Sequence, residues 1–558
     1  MNIYKIIKDE VLKCLNLTTE EGKNFVVETP KFEGQGDVSL NIAMVLAKNF
    51  KKSPIELAKE FLPKIQLLNF VEKAEVAGAG FINIYLKGDF ILNAFSSSLD
   101  VSYGFSDIGR GEKVNVEYCS ANPTGPVHIG HARGTIYGDV VAELLAKNGF
   151  NVTREYYIND AGGQIETLLK SVLIRVKQLE GEDIEIPEGC YPGEYLIDVA
   201  KKVLTEFGSS IYNKIAEVKN FVVNEIMSSI KNDLHRLKVS HDVFSSESKI
   251  IADKNVEEAI KVLQEKGLLY KGVLPKPKGK LTDEWEEREQ LLFKSTAFGD
   301  SEDRALQKSD GTFTYFTSDV GYHKNKLDRG FYKMILSVGA DHIGYMARIT
   351  SATKALSNKP EQTQIDVKAC QIVKFVENGM PIKMSKRKGT FTTLNDVLDE
   401  VSPDILRFIL LTKKNDSQMD FDLAKVKEQS KENPIFYIQY AYSRCSSLLR
   451  NYKEDLESVN LALLTQKEEL EIVKKILEYT RIIESAVQKL EPHLIANFLY
   501  ELVSLFHSLW NMGNENHNLR FITEDAELTK ARMFLVKSII NIINSSFSIF
   551  KITPMERM

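Results

Sequence analysis

The stretch KVNVEYCSANPTGPVHIGH, residues 113–131, decides how the rest of the chain is read. Residues 113–118 form a strand candidate, with apolar and polar side chains in alternation. Ser120–Pro126 is rich in Ser, Asn, Pro and Gly, the residues that turn a chain. A helix is expected from about Gly130 to Asn148, and Val152–Ile158 reads as a second strand. Strand, loop, helix and strand in that order predict a βαβ unit and a parallel sheet. The loop then lies at the carboxyl edge of the sheet, where ligands bind in such folds. A helix N-terminus there offers free N–H groups and the positive end of a dipole to phosphate. Gly130 lets a flat base approach the backbone, and His128 and His131 can donate hydrogen bonds to phosphate oxygens. Two histidines three residues apart are ordinarily surface residues or metal ligands, so this string carries little weight alone.

Outward from this unit, Ser53-Pro54-Ile55-Glu56 reads as a helix start, with Ser as N-cap and Pro in the first turn. Gly80–Leu86 alternates as a half-buried strand, and Tyr103–Gly111 looks like a linker. Residues from about 165 to 270 show a charged helical pattern. Strand-like runs return at Met334–Val338 and Gln371–Val376. From about residue 404 to the end the pattern is helical, with apolar residues at i, i+3, i+4 spacing in Leu494–Trp510 and Ala531–Phe550. The expected architecture is an α/β centre with a small α+β domain before it and an all-α bundle after it. The expected divisions are 1–88, a linker 89–111, a centre 112–402 with a helical insertion about 165–270, and a bundle 403–558.

The chain has 558 residues, 43% of them hydrophobic and 27% charged, an ordinary balance for a globular protein of several domains. Its formal net charge of -5 is unlike a small basic nucleic-acid module. A large enzyme can still hold RNA through local basic surfaces, because phosphate contacts are local. The five cysteines, Cys14, Cys119, Cys190, Cys370 and Cys445, form no C-x-x-C pair, so no cysteine zinc site and no disulfide framework is expected. No uncharged run has the length of a membrane span. The first helix is amphipathic rather than a signal sequence, which leads to a cytoplasmic expectation with no membrane partner.

A second segment changes the weight of the first. Lys383-Met384-Ser385-Lys386-Arg387-Lys388-Gly389 is a basic loop that can close over a triphosphate and neutralise charge in a transition state. A bare basic run is usually a solvated loop. Here, however, H-I-G-H precedes K-M-S-K in the order of the two signature motifs of class I aminoacyl-tRNA synthetases. The surrounding text, Glu117-Tyr118-Cys119-Ser120-Ala121-Asn122-Pro123, Arg154–Gly162, Tyr191-Pro192-Gly193-Glu194-Tyr195, Tyr315–Asp319, Gly339–His342 and Asn433–Ala441, resembles the arginyl members of that class. Phe32–Lys48 and Gly80–Leu86 resemble their additional N-terminal domain, and the terminal Met555-Glu556-Arg557-Met558 is similar to theirs, so the likeness runs end to end.

The resemblance implies a Rossmann-type catalytic domain, an N-terminal domain that meets the tRNA D-loop and an all-α anticodon-binding bundle. It implies ATP-dependent ligation of L-arginine to its tRNA through arginyl-adenylate, with Mg2+ on the phosphates, no structural zinc, tRNA required for the first step, and a monomer. His128, His131, Lys383 and Lys386 would be catalytic, with Lys386 foremost. The loop departs from the family pattern at Arg387, where Ser is usual. ATP would also meet Gly130, Met384 and Ser385. Arginine would be held by Glu117, Asn122, His128, Tyr315, Asp319 and His342. A guanidinium, with its fixed charge and planar fork of donors, independently asks for such carboxylates. The RNA would meet Phe81, Asn83, Tyr440, Arg444 and Met558, although Phe81 reads equally well as core. Lys276–Gln290 is expected as a surface excursion. Three rivals remain: another class I synthetase, a small-molecule nucleotidylyltransferase, and a catalytically silent RNA-binding relative.

Overall fold

The computed structural model describes residues 2–30, 32, 34–275, 287–381 and 393–558. It forms two compact units, Asp107–Glu428 and the combination of Met1–Ser106 with Gln429–Met558.

The first unit is built on five parallel strands: β1 (Lys113–Glu117), β2 (Asn151–Ile158), β3 (Val243–Ser246), β4 (Lys333–Gly339) and β5 (Gln364–Cys370). Their spatial order is β5-β4-β1-β2-β3. The chain steps outward from β1 to β3 and returns to the other side of β1 as β4. A crevice opens where the direction of winding reverses, at the carboxyl ends of β1 and β4. Helix α1 (Ala132–Lys147) covers the sheet next to that crevice and buries Ile136, Val140 and Leu144. It packs closely because Gly138 faces Tyr118: a Cβ there would lie 2.3 Å from the Tyr118 Cβ.

Several expectations are corrected here. The strand expected at Gln371–Val376 is found at Val373–Glu377, and another strand that was not expected precedes it. Gln364–Cys370 is the edge of the main sheet, while Val373–Glu377 belongs to a separate three-stranded sheet with Met380–Pro381 and Met419–Asp422. The edge strand carries Asp366 and Lys368, which hide its pattern. The region 165–270 does contain long helices, Gly163–Leu179, Tyr195–Phe207 and Ile215–Arg236, but β3 interrupts it as the outer strand of the parallel sheet. Four residues, two of them Ser, are too short to show a period. The α/β unit also runs past residue 402: helix Pro403–Leu410 and strand Met419–Asp422 belong to it, and it ends at Glu428. Most of the excursion Lys276–Gln290 lies outside the described residues; Gln290 itself is buried at the start of a strand.

The other unit contains a four-stranded antiparallel sheet in the order Val27–Glu28, Val38–Leu40, Phe81–Leu86, Val71–Ala77. Helix Pro54–Ile65 starts at Ser53 with a full capping box, Ser53 and Glu56 bonding each other's backbone N–H. The residues read as a linker open instead with helix Gly88–Phe95, because Ile91, Ala94 and Phe95 have an apolar face to bury. Phe95 meets Phe534 edge-on at 5.2 Å, and the Ser98 and Ser538 hydroxyls are 2.7 Å apart. The bundle itself is Pro434–Asn451, Lys467–Lys489, His493–Glu515 and Ala526–Phe550. Ala526–Phe550 is long and apolar enough to cross a membrane, yet 78% of its apolar window is buried inside the protein.

Candidate active site

Beyond β1 the backbone turns through two non-glycine residues in left-handed conformation, Cys119 at φ 70° and Ser120 at φ 37°. Such strain persists only where surroundings enforce it. The enforcing bonds are visible. Ser120 Oγ donates to Glu117 Oε1 at 3.2 Å and accepts the Tyr157 N–H at 3.0 Å. The Tyr156 hydroxyl donates to the Ala121 carbonyl at 2.6 Å, and the Tyr195 hydroxyl to that of Thr124 at 2.5 Å. Asn122 is exposed on the loop so fixed.

The loop delivers His128 to the N-cap of a short turn, Ile129–His131, ahead of α1. His128 Nδ1 accepts the Gly130 N–H at 3.0 Å. A neutral ring bonded this way carries its proton on Nε2. Desolvation holds both imidazoles below the ordinary histidine value, and in His131 the neighbouring His128 adds to the shift. The two rings stand perpendicular, 6.3 Å apart. The predicted Lys383, Met384, Ser385 and Lys386 lie outside the described residues. The chain after them is anchored beside the histidines: Thr393 bridges His128 in antiparallel fashion, and the Leu394 N–H donates to the Val127 carbonyl at 2.8 Å. Asp233 accepts from both the Val127 N–H and the Asn395 amide, joining the two segments from behind.

Helix α2 (Tyr315–Asp328) supplies the opposite wall. Tyr315, Asp319, Tyr322 and Lys326 are spaced i, i+4, i+7, i+11 and share one face. Burial deepens along that face: Tyr315 is 72% exposed, Tyr322 2% and Lys326 0%. At its deep end the face meets Glu117. Lys326 Nζ donates to Glu117 Oε2 at 2.5 Å and the Tyr322 hydroxyl to the same oxygen at 3.0 Å. Burial, and then Glu117, push the Tyr322 phenol well above its ordinary value. Asp319 Oδ2 accepts from the Tyr345 hydroxyl.

Beneath lies Glu155, fully buried and paired with Arg329 at 2.8 and 2.9 Å. Burial drives its carboxyl up, but the charges of Lys326 and Arg329 and the Ser245 hydrogen bond outweigh this and leave it below the usual range. Sequence reasoning named Tyr315, Asp319 and Glu117 but missed Tyr322 and Lys326. The signal was the continuation of the same helical stripe by seven more residues. His342 sits exposed just beyond β4, the strand beside β1, with the Asp341 carboxylate 3.6 Å away.

The residues expected to meet RNA lie in the other unit. Phe81 is half-buried. Asn83 is not displayed openly: it is 3% exposed and its Oδ1 accepts from Ser39 Oγ on the neighbouring strand at 2.8 Å, while Phe81 and Tyr85 on the same face are half-buried. On helix Pro434–Asn451, Arg444 stacks over Tyr440 at 4.2 Å and Trp510 at 4.8 Å. Its guanidinium also donates to the Tyr440 hydroxyl at 2.7 Å and to His507 Nδ1 at 3.3 Å. Tyr437 packs on His507 at 4.3 Å. The C-terminal tail runs along the same helix, with Gln439 bonded to Thr553 and Met555, and leaves Met558 53% exposed.

Three family models match the chain: the arginyl tRNA synthetase N terminal domain over residues 1–86, the class I (R) tRNA synthetase catalytic domain over 99–431, and the DALR anticodon binding domain over 438–558. The arginine–tRNA ligase of Wolbachia pipientis wMel is 47% identical over 570 residues, with 100% of both chains covered. That of Rickettsia bellii (strain OSU 85-389) is 46% identical over 578 residues, again with 100% of both covered. Among solved structures, the Thermus thermophilus arginyl-tRNA synthetase covers 100% of both chains with a TM-score of 0.78 at 20% identity, a likeness of fold. With its parallel sheet, its H-I-G-H turn at the carboxyl edge and these full-length relatives, the chain belongs to the arginine–tRNA ligases, the arginyl branch of the class I aminoacyl-tRNA synthetases.

Proposed function

We infer that the chain ligates L-arginine to tRNA(Arg), using ATP, through arginyl-adenylate. The observation that carries this reading is the helix face Tyr315–Asp319–Tyr322–Lys326 closing on Glu117, beside the His128–His131 turn. A guanidinium seeks carboxylates, and Asp319 and Glu117 both stand along this helix face. Tyr315 is at its exposed end. Asn122 and His128, at the sheet edge, take the α-amino and carboxylate groups, and His342 lines the same site.

In the first step the arginine carboxylate oxygen attacks the α-phosphorus of ATP, and the bond to pyrophosphate breaks. In the second, the terminal 2'-hydroxyl of the tRNA attacks the adenylate carbonyl and AMP leaves. The first step needs alignment and charge stabilisation more than proton transfer. The Nε2–H of neutral His128 and the ring of His131 donate to phosphate oxygens, and Gly130 admits the adenine. Mg2+ enters with ATP as part of the substrate. Lys383 and Lys386, with Met384 and Ser385, complete the phosphate site. Residues 1–88 meet the D-loop through Phe81, with Asn83 fixing the strand beneath it, and Tyr440, Arg444 and Met558 meet the anticodon arm. The chain works as a monomer in the cytoplasm, where tRNA and ATP meet.

ATP–pyrophosphate exchange with each amino acid, with and without bulk tRNA, tests the reading. Exchange with arginine alone, and only when tRNA is present, is the expected result. Exchange with another amino acid would overturn the pocket assignment, and no exchange under any condition would make the chain a silent RNA-binding relative.

A further inference from the structure

Tyr157, the last residue but one of β2, lies beside this site and plays no part in the steps above. Its ring stacks on Tyr322, with centroids 4.4 Å apart and planes 28° apart. Its backbone N–H is held by Ser120 Oγ, the same hydroxyl that braces Glu117. The Tyr157 hydroxyl is shielded from solvent and has no hydrogen-bond partner among the described residues. A buried hydroxyl left so is costly, and native structures rarely keep one without a use. Its stacking partner spends its own hydroxyl on Glu117, and Asp319 precedes that partner by three residues on the same helix face. Burial first, then the charges of Asp319, Glu247, Glu117 and Asp160, hold the Tyr157 phenol far above its ordinary value, so its oxygen stays protonated and neutral. A neutral oxygen set among carboxylates suits a cation with several N–H donors on a flat fork.

We infer that Tyr157 is a specificity-determining residue of the arginine site, its hydroxyl oxygen accepting an N–H from the substrate guanidinium between Glu117 and Asp319. The inference rests on the reading of those two carboxylates as the guanidinium clamp. It accounts for an otherwise wasteful buried group, since arginine itself supplies the missing partner. A lysine side chain, whose ammonium is compact and lacks the fork, leaves the hydroxyl unsatisfied and is rejected the more strongly for it.

Tyr157→Phe removes the oxygen and keeps the stack on Tyr322. In tRNA-supported exchange, the arginine KM rises about tenfold or more, as for a lost buried polar contact, while the ATP KM stays put. Thermal melting of the free variant is unchanged or shifted upward, because an unpaired hydroxyl has gone. An unchanged arginine KM in a folded variant, or a lowered melting point with arginine and ATP KM rising together, overturns the assignment and leaves Tyr157 a structural residue. Glu117→Gln and Asp319→Asn, run alongside, separate the two layers. If neither raises the arginine KM, the clamp itself is wrong and Tyr157 falls with it. If both do and Tyr157→Phe does not, Tyr157 alone is wrong.

Discussion

At the scale of single residues, Lys326 changes how Glu117 is understood. A carboxylate at a strand end was expected to wait for a ligand. Instead one of its oxygens is already held by a fully buried ammonium and a phenol, and the other faces Ser120. Glu117 therefore offers an oriented oxygen rather than a swinging side chain, as its proposed part in recognising a planar cation requires. Removing one member of a buried pair strands the other. Lys326→Met is expected to destabilise the catalytic unit by about 3–5 kcal/mol in urea unfolding, and the double variant with Glu117→Gln by less. Equal destabilisation by single and double variants would mean that the pair is not coupled.

At the scale of elements, the contact between α1 and β1 fixes where the histidines stand. Gly138 lets the helix sit directly on Tyr118, whose hydroxyl reaches on to the Ser240 carbonyl at 2.7 Å. Alanine is the better helix former, so on propensity alone Gly138→Ala would stabilise. The added Cβ would instead meet the Tyr118 Cβ, which cannot swing away, so overpacking wins. A loss of about 1–3 kcal/mol by denaturant titration is expected, and a gain would show that the helix can lift without cost. The helix starts and the strands of β1 and β2 were legible because each carries its own local signal: Pro54 after Ser53, or alternation over five or more residues. β3 and β5 were not, since a four-residue strand and a charged edge strand acquire their identity only from the neighbour they pair with.

At the scale of the whole molecule, buried neutral histidines tie stability to pH. His507 is 3% exposed, donates from Nε2 to the Tyr437 carbonyl at 3.2 Å and accepts from Arg444 on Nδ1. Desolvation, with Arg444 adding to it, lowers its pKa from 6.5 to about 4. His323, buried above the Lys326 charge, is lowered to about 4 as well. A depressed histidine pKa means that the unfolded chain binds the proton more readily than the folded one. The contribution is therefore present above pH 6.5 and is lost as pH falls from there toward 4, by up to about 3 kcal/mol for His507. Melting temperature should fall across that window. His507→Gln, which keeps a donor for Tyr437 and an acceptor for Arg444, should flatten the slope without removing it; an unaltered slope would mean that His507 titrates normally in the fold.

The sequence by itself determined the βαβ unit, the H-I-G-H and K-M-S-K strings, the order of the domains and the arginyl resemblance, because these are properties of contiguous residues. It also named Glu117, Tyr315 and Asp319, where a guanidinium's need for carboxylates could be matched to a strand end and a helical spacing. Only the tertiary structure decided what those residues touch. Tyr322 and Lys326 reach Glu117 across more than two hundred residues of chain. Asn83 was buried by its hydrogen bond to Ser39 on the neighbouring strand, and the span read as a linker became a helix packed on Phe534. Burial and pairing are long-range quantities, set by which elements become neighbours, and no local pattern carries them.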